Sequence, residues 1–184
     1  NQLDLAIEEL TTAAGIDAEA LEIHLILGNL YREKGQVTRA IQMHQQLLRR
    51  PKLTKLEHAY VLLCLALDFR RGGFVDRALE AFTEVLRFDA DNHFALLNLE
   101  KLHEEQHQWK EAYAIRQRLA ALAPPAQQQK HQAILAFLET QLGLQALEGK
   151  DDQAAVSRFE SAVDLDANAL PAYVRLGDLQ HRDG

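Results

Sequence analysis

The sequence predicts an all-α protein in which antiparallel helix pairs stack into a solenoid. Two observations carry this prediction: small residues recur at intervals of about one helix pair, and apolar residues recur three and four positions apart, as on one face of a helix. Strand signals are absent, because the chain shows neither sustained apolar–polar alternation nor an Asn-Gly hairpin turn. A single helix pair cannot bury its apolar stripe alone, so it must stack on its neighbours.

The landmark of each second helix is an alanine. Its successive copies are Ala6, Ala40, Ala78, Ala112 and Ala155, which lie 34, 38, 34 and 43 residues apart. The residues four positions further on are Leu10, His44, Phe82, Arg116 and Phe159. The first and third intervals equal one repeat of about 34 residues, and the other two exceed it by a few residues.

Each first helix has two landmarks of its own, a small residue after a leucine and a glycine where the helix ends. The small residues are Gly28, Ala66, Gly143 and Gly177. The terminal glycines are Gly35, Gly73, Gly184 and, shifted by one position, Gly149. The small residue lets two helices approach closely, and a glycine beyond the last turn accepts the left-handed conformation that ends a helix.

These spacings predict a single repeat array over residues 1–184. Residues 1–20 form a half repeat, residues 21–54, 59–92, 93–126 and 136–169 form full repeats, and residues 170–184 form a second half repeat. Because the chain opens on Asn1 rather than methionine, we interpret it as a fragment of a longer protein. The half repeats would leave apolar faces bare, which predicts self-association through the two ends.

Two joints between repeats are irregular. The segment Lys52–His58 holds extra residues that lengthen either a helix or a loop, and Thr54 with Glu57 has the form of a capping box. The prolines Pro124–Pro125 stop the helix before them, and the glutamines that follow favour an extended first helix from about Ala126 to Glu148. This second insertion is either a tolerated loop or a binding feature.

Composition excludes several functions. The chain has 20 basic and 27 acidic residues, a net charge of -7, so it lacks the positive surface that drives nucleic-acid binding. No apolar run is long enough to span a membrane. The single cysteine, Cys64, lies in an apolar run and is interpreted as a small buried hydrophobe. Phosphate-binding glycine loops, nucleophile elbows and paired buried carboxylates are absent, so we predict no enzymatic activity.

The segment His103–His107 matches the His-Glu-x-x-His motif, in which two histidines one helical turn apart bind zinc. In the repeat register, His103 falls at a packing position between helices, and His107 falls at the helix end, where Gly35 and Gly73 stand in other repeats. A fraying helix end does not hold the geometry that a shared metal needs, and no third protein ligand is evident. We therefore predict neither a metal site nor a cofactor in this chain.

The remaining candidate site is a surface. First helices line the concave side of such solenoids, which is the usual docking groove. Helical spacing predicts an apolar floor with basic residues at one side, suited to an apolar or acidic segment of a partner protein. Its predicted residues are Leu25, Asn29, Arg32, Tyr60, Leu63, Leu67, Arg70, Arg71, Phe94, Leu97 and Lys101, followed by Phe137 and Leu144. Alternatively, several of these side chains simply pack between neighbouring helices.

These landmarks resemble the tetratricopeptide repeat family, above all in the run from Leu27 and Gly28 through Tyr31 and Gly35 to Ala40. The resemblance covers nearly the whole chain and implies a right-handed superhelical solenoid that binds proteins. The chaperone-tail clamp of this family uses paired lysine and asparagine on the first helices. Asn29 is present, but Leu25 stands where the clamp lysine would be, so that binding mode is not predicted.

Other segments are similar to the bacterial lipopolysaccharide assembly protein B family. They are Glu22–Gln45 with its unusual His44, Lys52–Leu56, Gly73–Ala78 and Gln108–Ala112. In that family a transmembrane helix precedes the repeats, which face the cytoplasm, and a rubredoxin-like metal-binding module follows them. The resemblance implies these flanking parts for the parent protein only. It also implies a role in helping a membrane-anchored protease to degrade the deacetylase that commits material to lipid A.

Two hypotheses follow. The first is a protein-binding adaptor that regulates lipopolysaccharide biosynthesis or assembly at the cytoplasmic side of the bacterial inner membrane, with the fragment itself soluble. Its expected partners are the membrane-anchored protease and a lipid A biosynthesis enzyme. The alternative is a generic repeat adaptor in another bacterial assembly, such as secretion or polysaccharide export.

Overall fold

The computed structural model of the chain describes residues 2–17 and 19–182. These residues form ten α-helices and one 3-10 turn at Pro125–Gln127, and no strand. The helices are α1 (Gln2–Ile16), α2 (Leu21–Glu33), α3 (Val37–Leu48), α4 (Lys55–Arg71), α5 (Val75–Phe88), α6 (His93–Glu105), α7 (Trp109–Leu122), α8 (Gln128–Glu148), α9 (Asp152–Leu165) and α10 (Leu170–Arg182). The predicted all-α fold is therefore confirmed.

The chain forms two compact units, Asn1–Ala95 and Leu96–Gly184. In the first unit each helix from α1 to α5 packs on the next one along the chain, and α2 also contacts α4. In the second unit α7 packs on α8, α8 on α9, and α9 on α10. This pattern is that of stacked helix pairs within each unit. The single array over residues 1–184 stays a prediction, and its outer boundaries, together with Gly184, lie outside the described residues.

The alanine landmarks lie at the centre of the packing. Ala40, Ala78, Ala112 and Ala155 are each 0% exposed, because a methyl group is the largest side chain that the close approach of the two helices admits. The left-handed position lies five residues before each of them. Gly35 (φ 80°) and Gly73 (φ 75°) occupy it as predicted. In the later pairs the left-handed residues are His107 and Lys150, so Gly149 stands one residue before this position.

The first irregular joint lengthens a helix. α4 has 17 residues where α2 has 13. The predicted capping box is present, since Glu57 N donates to Thr54 Oγ1 over 3.2 Å and Thr54 N donates to Glu57 Oε2 over 2.7 Å. The hydrogen bond from the Thr54 backbone lowers the pKa of the Glu57 carboxyl. The cap begins α4 early enough to include the extra turn.

The second irregular joint extends α8. After the 3-10 turn at the prolines, α8 runs for 21 residues, which confirms the predicted long helix. The Gln128 side-chain amide donates to the carbonyl oxygens of Ala120 (2.9 Å) and Ala123 (3.0 Å), at the end of α7. These bonds satisfy terminal carbonyls that have no partner within α7.

Candidate functional site

Most of the predicted groove lies in the first unit, on α2 and α4. Along α4, Tyr60 is 50% exposed, Leu63 and Leu67 are half-buried, and the basic pair closes the helix with Arg70 half-buried and Arg71 exposed. Leu56, one turn before Tyr60, is 80% exposed, and sequence reasoning missed it. This face of α4 therefore offers apolar groups at its start and cationic groups at its end. We call it, together with Asn29 and Arg32 of α2, the α2–α4 surface.

The structure brings α2 and α4 together through Arg32. Its Nη1 donates to Asp68 Oδ1 over 2.8 Å and to the Cys64 carbonyl oxygen over 3.3 Å. The Arg32 side chain remains 17% exposed, while Asp68 is fully buried. One nitrogen of the guanidinium group, Nη1, thus donates to both acceptors, and part of the side chain reaches the surface. Bonding to a buried carboxylate fixes the position of the cation.

His44 of α3 holds Asp68 from the opposite side. His44 Nδ1 and Asp68 Oδ2 lie 2.5 Å apart, and both side chains are 0% exposed. The imidazole ring also lies against Gly28: a Cβ atom at Gly28 would stand 2.5 Å from His44 Nε2. That nitrogen is buried, and no described residue hydrogen-bonds to it. The three side chains form one chain of contacts from α3 through α4 to α2, buried at His44 and Asp68 and partly exposed at Arg32. We call it the Arg32–Asp68–His44 network.

Other predicted residues take different places. Leu25 is only 7% exposed and belongs to the apolar core with Leu47, Val61 and Cys64, beneath the α2–α4 surface. The Oδ1 atom of Asn29 is buried without a hydrogen-bond partner among the described residues. Burial raises the pKa of the Cys64 thiol to about 11, which leaves it protonated and unreactive near neutral pH.

The remaining groove residues are divided between the units. Phe94, 52% exposed, is in the first unit. Leu97, 37% exposed, and the exposed Lys101 are in the second. Phe137, 49% exposed, and the half-buried Leu144 lie on α8 of the second unit. The groove as a continuous binding surface stays a prediction.

The His-Glu-x-x-His segment does not form a metal-binding helix face. α6 ends at Glu105, and His107 lies beyond it in the left-handed conformation, with φ 56°. His103 Nδ1 lies 2.6 Å from Gln108 Oε1, so this ring is already hydrogen-bonded. Within the described residues no group of three or more metal-ligating side chains occurs.

The second unit holds a buried ion pair that sequence reasoning did not predict. Arg116 of α7 donates from both Nε and Nη2 to the Glu100 carboxylate of α6, and Glu100 is 3% exposed. Burial raises the pKa of Glu100, and the neighbouring guanidinium opposes that shift. Arg116 Nη1 also lies 3.4 Å from Nδ1 of the buried His131. Glu100 stands where other repeats have Gly28 or Gly143, and Arg116 stands where they have His44 or Phe159. The sequence signal for the ion pair was therefore that one repeat carries charged residues of opposite sign at both of these packing positions.

The comparisons with known proteins agree with this architecture. The sequence profile of the tetratricopeptide repeat family matches residues 23–59, which cover most of α2, all of α3 and the start of α4. This match spans one helix pair, and the chain resembles the tetratricopeptide repeat family. The crystal structure of YrrB, titled a TPR protein with an unusual peptide-binding site, superposes on this repeat protein with a TM-score of 0.59, 16% identity and coverage of 94% of this chain and 82% of that one. That likeness concerns the fold alone.

Two curated relatives cover nearly all of the repeat protein. Lipopolysaccharide assembly protein B of Escherichia coli (strain K12) is 27% identical over 177 residues, covering 96% of this chain and 44% of the relative. The protein of that name from Haemophilus influenzae is 29% identical over 163 residues, covering 89% of this chain and 40% of the relative. The chain thus resembles lipopolysaccharide assembly protein B, and it spans less than half the length of these relatives. Among the described residues no helix is both long enough and apolar enough to cross a membrane.

Proposed function

We propose that this chain is a non-catalytic adaptor in the regulation of lipopolysaccharide biosynthesis or assembly, and that it binds its protein partners through the α2–α4 surface. The observation that carries the proposal is the Arg32–Asp68–His44 network. It holds α2 against the later turns of α4, which expose Arg71, while the first turns of α4 expose Leu56 and Tyr60. An exposed cation and an apolar strip on one helix face are suited to a partner segment with an acidic and an apolar side chain.

The resemblance to lipopolysaccharide assembly protein B supports the pathway. We propose that the partners are a membrane-anchored protease and the deacetylase that commits material to lipid A, at the cytoplasmic side of the bacterial inner membrane. In this proposal the repeats bring protease and substrate together and need no cofactor of their own. A rubredoxin-like metal site and a membrane anchor would belong to other parts of the parent protein.

A binding measurement with the purified protease tests the surface. Variant Tyr60→Ala/Arg71→Glu removes one exposed aromatic ring and reverses one exposed charge without touching the buried network. We expect its affinity for the protease to fall at least about tenfold, since aromatic and arginine anchors carry most interface energy. Arg87→Glu, an exposed charge reversal on α5, is the matched control and should bind like wild type. Equal binding by the double variant and the control would remove the α2–α4 surface from the proposal.

The alternative adaptor role differs from the proposed one in which partner binds, and not in which surface of the chain is used. If the wild-type chain binds neither the protease nor the deacetylase, the repeats serve another bacterial assembly such as secretion or polysaccharide export. The same purified chain immobilised on a sensor measures both interactions.

A further inference from the structure

Three aromatic rings meet on the surface of the second unit. The His107 and Trp109 ring centroids lie 5.3 Å apart at an interplanar angle of 72°, and the Trp109 and Phe137 centroids lie 6.3 Å apart at 89°. Both are edge-to-face arrangements. His107 is exposed, Trp109 is half-buried, and Phe137 is 49% exposed. A cluster of rings that is left this open to solvent contributes little to the core.

His107 lies in the turn between α6 and α7. Its φ of 56° is left-handed, and glycine holds this position in the first two helix pairs, at Gly35 and Gly73. Histidine is, with asparagine and aspartate, among the L residues enriched in this conformation, and Lys150 adopts it at the same position of a later helix pair. At this position His107 places its imidazole ring edge-to-face with Trp109.

Two cavities open to solvent border Trp109, with volumes of about 540 Å³ and about 510 Å³. His107, Trp109 and Gln145 line both of them. Gln141 and Leu144 of α8 complete the floor of the smaller one. Gln141 and Gln145 lie one helical turn apart, so their amides are spaced along the cavity, where they can hydrogen-bond to the backbone of an extended peptide. We call this region the Trp109 groove.

Acidic groups outnumber basic groups in the lining of the groove. Glu111 and Asp151 line the larger cavity, and Glu148 lines the smaller one. Within the described part of the chain neither Glu111 nor Glu148 forms an ion pair. Arg158 also lines the larger cavity, but its charge is matched by the buried Glu139, 3.0 Å away. Lys110 is the remaining cation, so the lining is negative overall.

We propose that the Trp109 groove binds a basic, extended segment of a partner protein, with an arginine or lysine side chain over the Trp109 ring. The negative lining attracts the segment, the ring face takes the cation, and the glutamine amides bond to its backbone. This site is independent of the α2–α4 surface, which is suited to acidic segments. The chain therefore carries two docking sites of opposite charge preference, and failure of one leaves the other standing.

Trp109 is the only tryptophan in the chain, so its fluorescence reports on this groove alone. The probe is a short blocked peptide of alternating arginine and alanine, titrated into the purified chain. A matched peptide with glutamate in place of arginine controls for unspecific effects. We expect a saturable change in Trp109 emission with the arginine peptide, weakened by salt, and none with the glutamate peptide. Absence of a saturable change with the arginine peptide, or an equal response to both peptides, overturns the proposal.

Three variants separate binding from folding and from general charge attraction. His107→Gly removes the ring but suits the left-handed backbone, so its thermal midpoint should equal or exceed that of wild type. Phe137→Ala keeps every charge, and Glu148→Gln keeps every ring. Each should weaken peptide binding roughly two- to fivefold, the range of an exposed cation–π contact. A His107→Gly chain that folds and binds as tightly as wild type contradicts the proposal.

The matched control lies in the first unit. His58 and Phe88 form another ring pair at the surface, with centroids 5.0 Å apart at an interplanar angle of 34° and Phe88 43% exposed. Phe88→Ala should leave the response of Trp109 to the arginine peptide unchanged. If Phe88→Ala weakens the response as much as Phe137→Ala does, the peptide binds through the overall negative charge and the groove is not the site.

Discussion

The α2–α3 pair and the α8–α9 pair place a ring over a glycine in the same way, yet one ring is polar and the other is not. A Cβ atom at Gly143 would stand 2.5 Å from Phe159 Cε1, just as one at Gly28 would meet His44 Nε2. Phe159 lies in an apolar cluster with Ala136, Ala155 and Ala162. His44 instead requires a buried partner, Asp68, which in turn holds Arg32.

The difference shows that the repeat fixes the shape of this position but not its chemistry. The α6–α7 pair gives a third solution, because there the glycine is replaced by Glu100 and the ring by Arg116. An apolar ring serves packing alone. A polar side chain at the same position obliges neighbouring helices to supply its partner, since an unpaired buried polar group is costly. The Arg32–Asp68–His44 network is the case in which this chain of partners ends at the surface.

The largest expected effect concerns the Glu100–Arg116 pair. Glu100→Ala leaves the buried Arg116 cation without its partner and should lower the free energy of unfolding by about 3–5 kcal/mol. The double variant Glu100→Ala/Arg116→Phe rebuilds the small-residue and ring combination of the α8–α9 pair. It should recover most of that loss, because well-packed apolar residues often replace a buried ion pair without cost. Urea unfolding of Glu100→Ala, Arg116→Phe and the double variant gives the coupling energy between the two positions. Additive losses of stability would show that the two positions are independent.

The next effect breaks the polar network itself. Asp68→Ala removes a carboxylate that accepts from Arg32 and His44, and the free energy of unfolding should fall by about 1.5–3 kcal/mol, the range for hydrogen bonds to charged groups. Asp76→Ala, an exposed position in the first turn of α5, should change it by less than about 1 kcal/mol. Partner binding should weaken too, since Arg32 loses its fixed orientation. Similar free energies of unfolding for the two variants would mean that the network does not stabilise the fold.

The glycines test the shared geometry. Gly28→Ala and Gly143→Ala each insert a methyl group into a ring and should lower the free energy of unfolding by about 1–3 kcal/mol. Gly177 occupies the same landmark in α10 with nothing within 4 Å of an added Cβ. Gly177→Ala should therefore stabilise its helix by about 0.5–1 kcal/mol. Chemical denaturation of the three variants measures these free energies of unfolding. A loss of stability in Gly177→Ala equal to the losses in the other two variants would refute the close-contact explanation.

Much of this arrangement was predictable from spacing. The alanine landmarks, the capping box at Thr54 and the long α8 are all present, because each depends on local sequence or on a repeated packing position. The ring position itself was predictable, and so was its occupation by His44. The partner of His44 was not, because Asp68 lies 24 residues away and only the packing of α3 on α4 brings the two together.

The Trp109 groove escaped sequence reasoning for the same reason. His107 entered the sequence analysis only as part of an apparent zinc motif, and Phe137 only as a groove residue. The contact of Phe137 with Trp109 arises from the packing of α7 on α8, whereas His107 meets Trp109 locally, from the turn before α7. The left-handed conformation of His107 could have been inferred from its register with Gly35 and Gly73, but not the ring contact that accompanies it.

The smallest expected effect concerns α1 and α10, the helices that lie next to the α2–α3 pair and the α8–α9 pair. Beside α9, helix α10 exposes Leu170 (70%) and Val174 (61%), and beside α2, helix α1 exposes Ile16 (84%). Exposed apolar groups of this kind favour weak self-association, so the average mass in size-exclusion chromatography with light scattering should rise with concentration. Leu170→Lys/Val174→Lys should reduce the rise. A mass that stays monomeric at every concentration would leave the predicted self-association without support.

The adaptor account is tested most directly by the half-life of the lipid A deacetylase in cells. The gene that encodes this chain is deleted and then restored in wild-type form, as Tyr60→Ala/Arg71→Glu, or as Arg87→Glu. The account predicts a longer half-life in the deletion strain, return to normal with wild type and Arg87→Glu, and no return with the double variant. A half-life that the deletion leaves unchanged would contradict it.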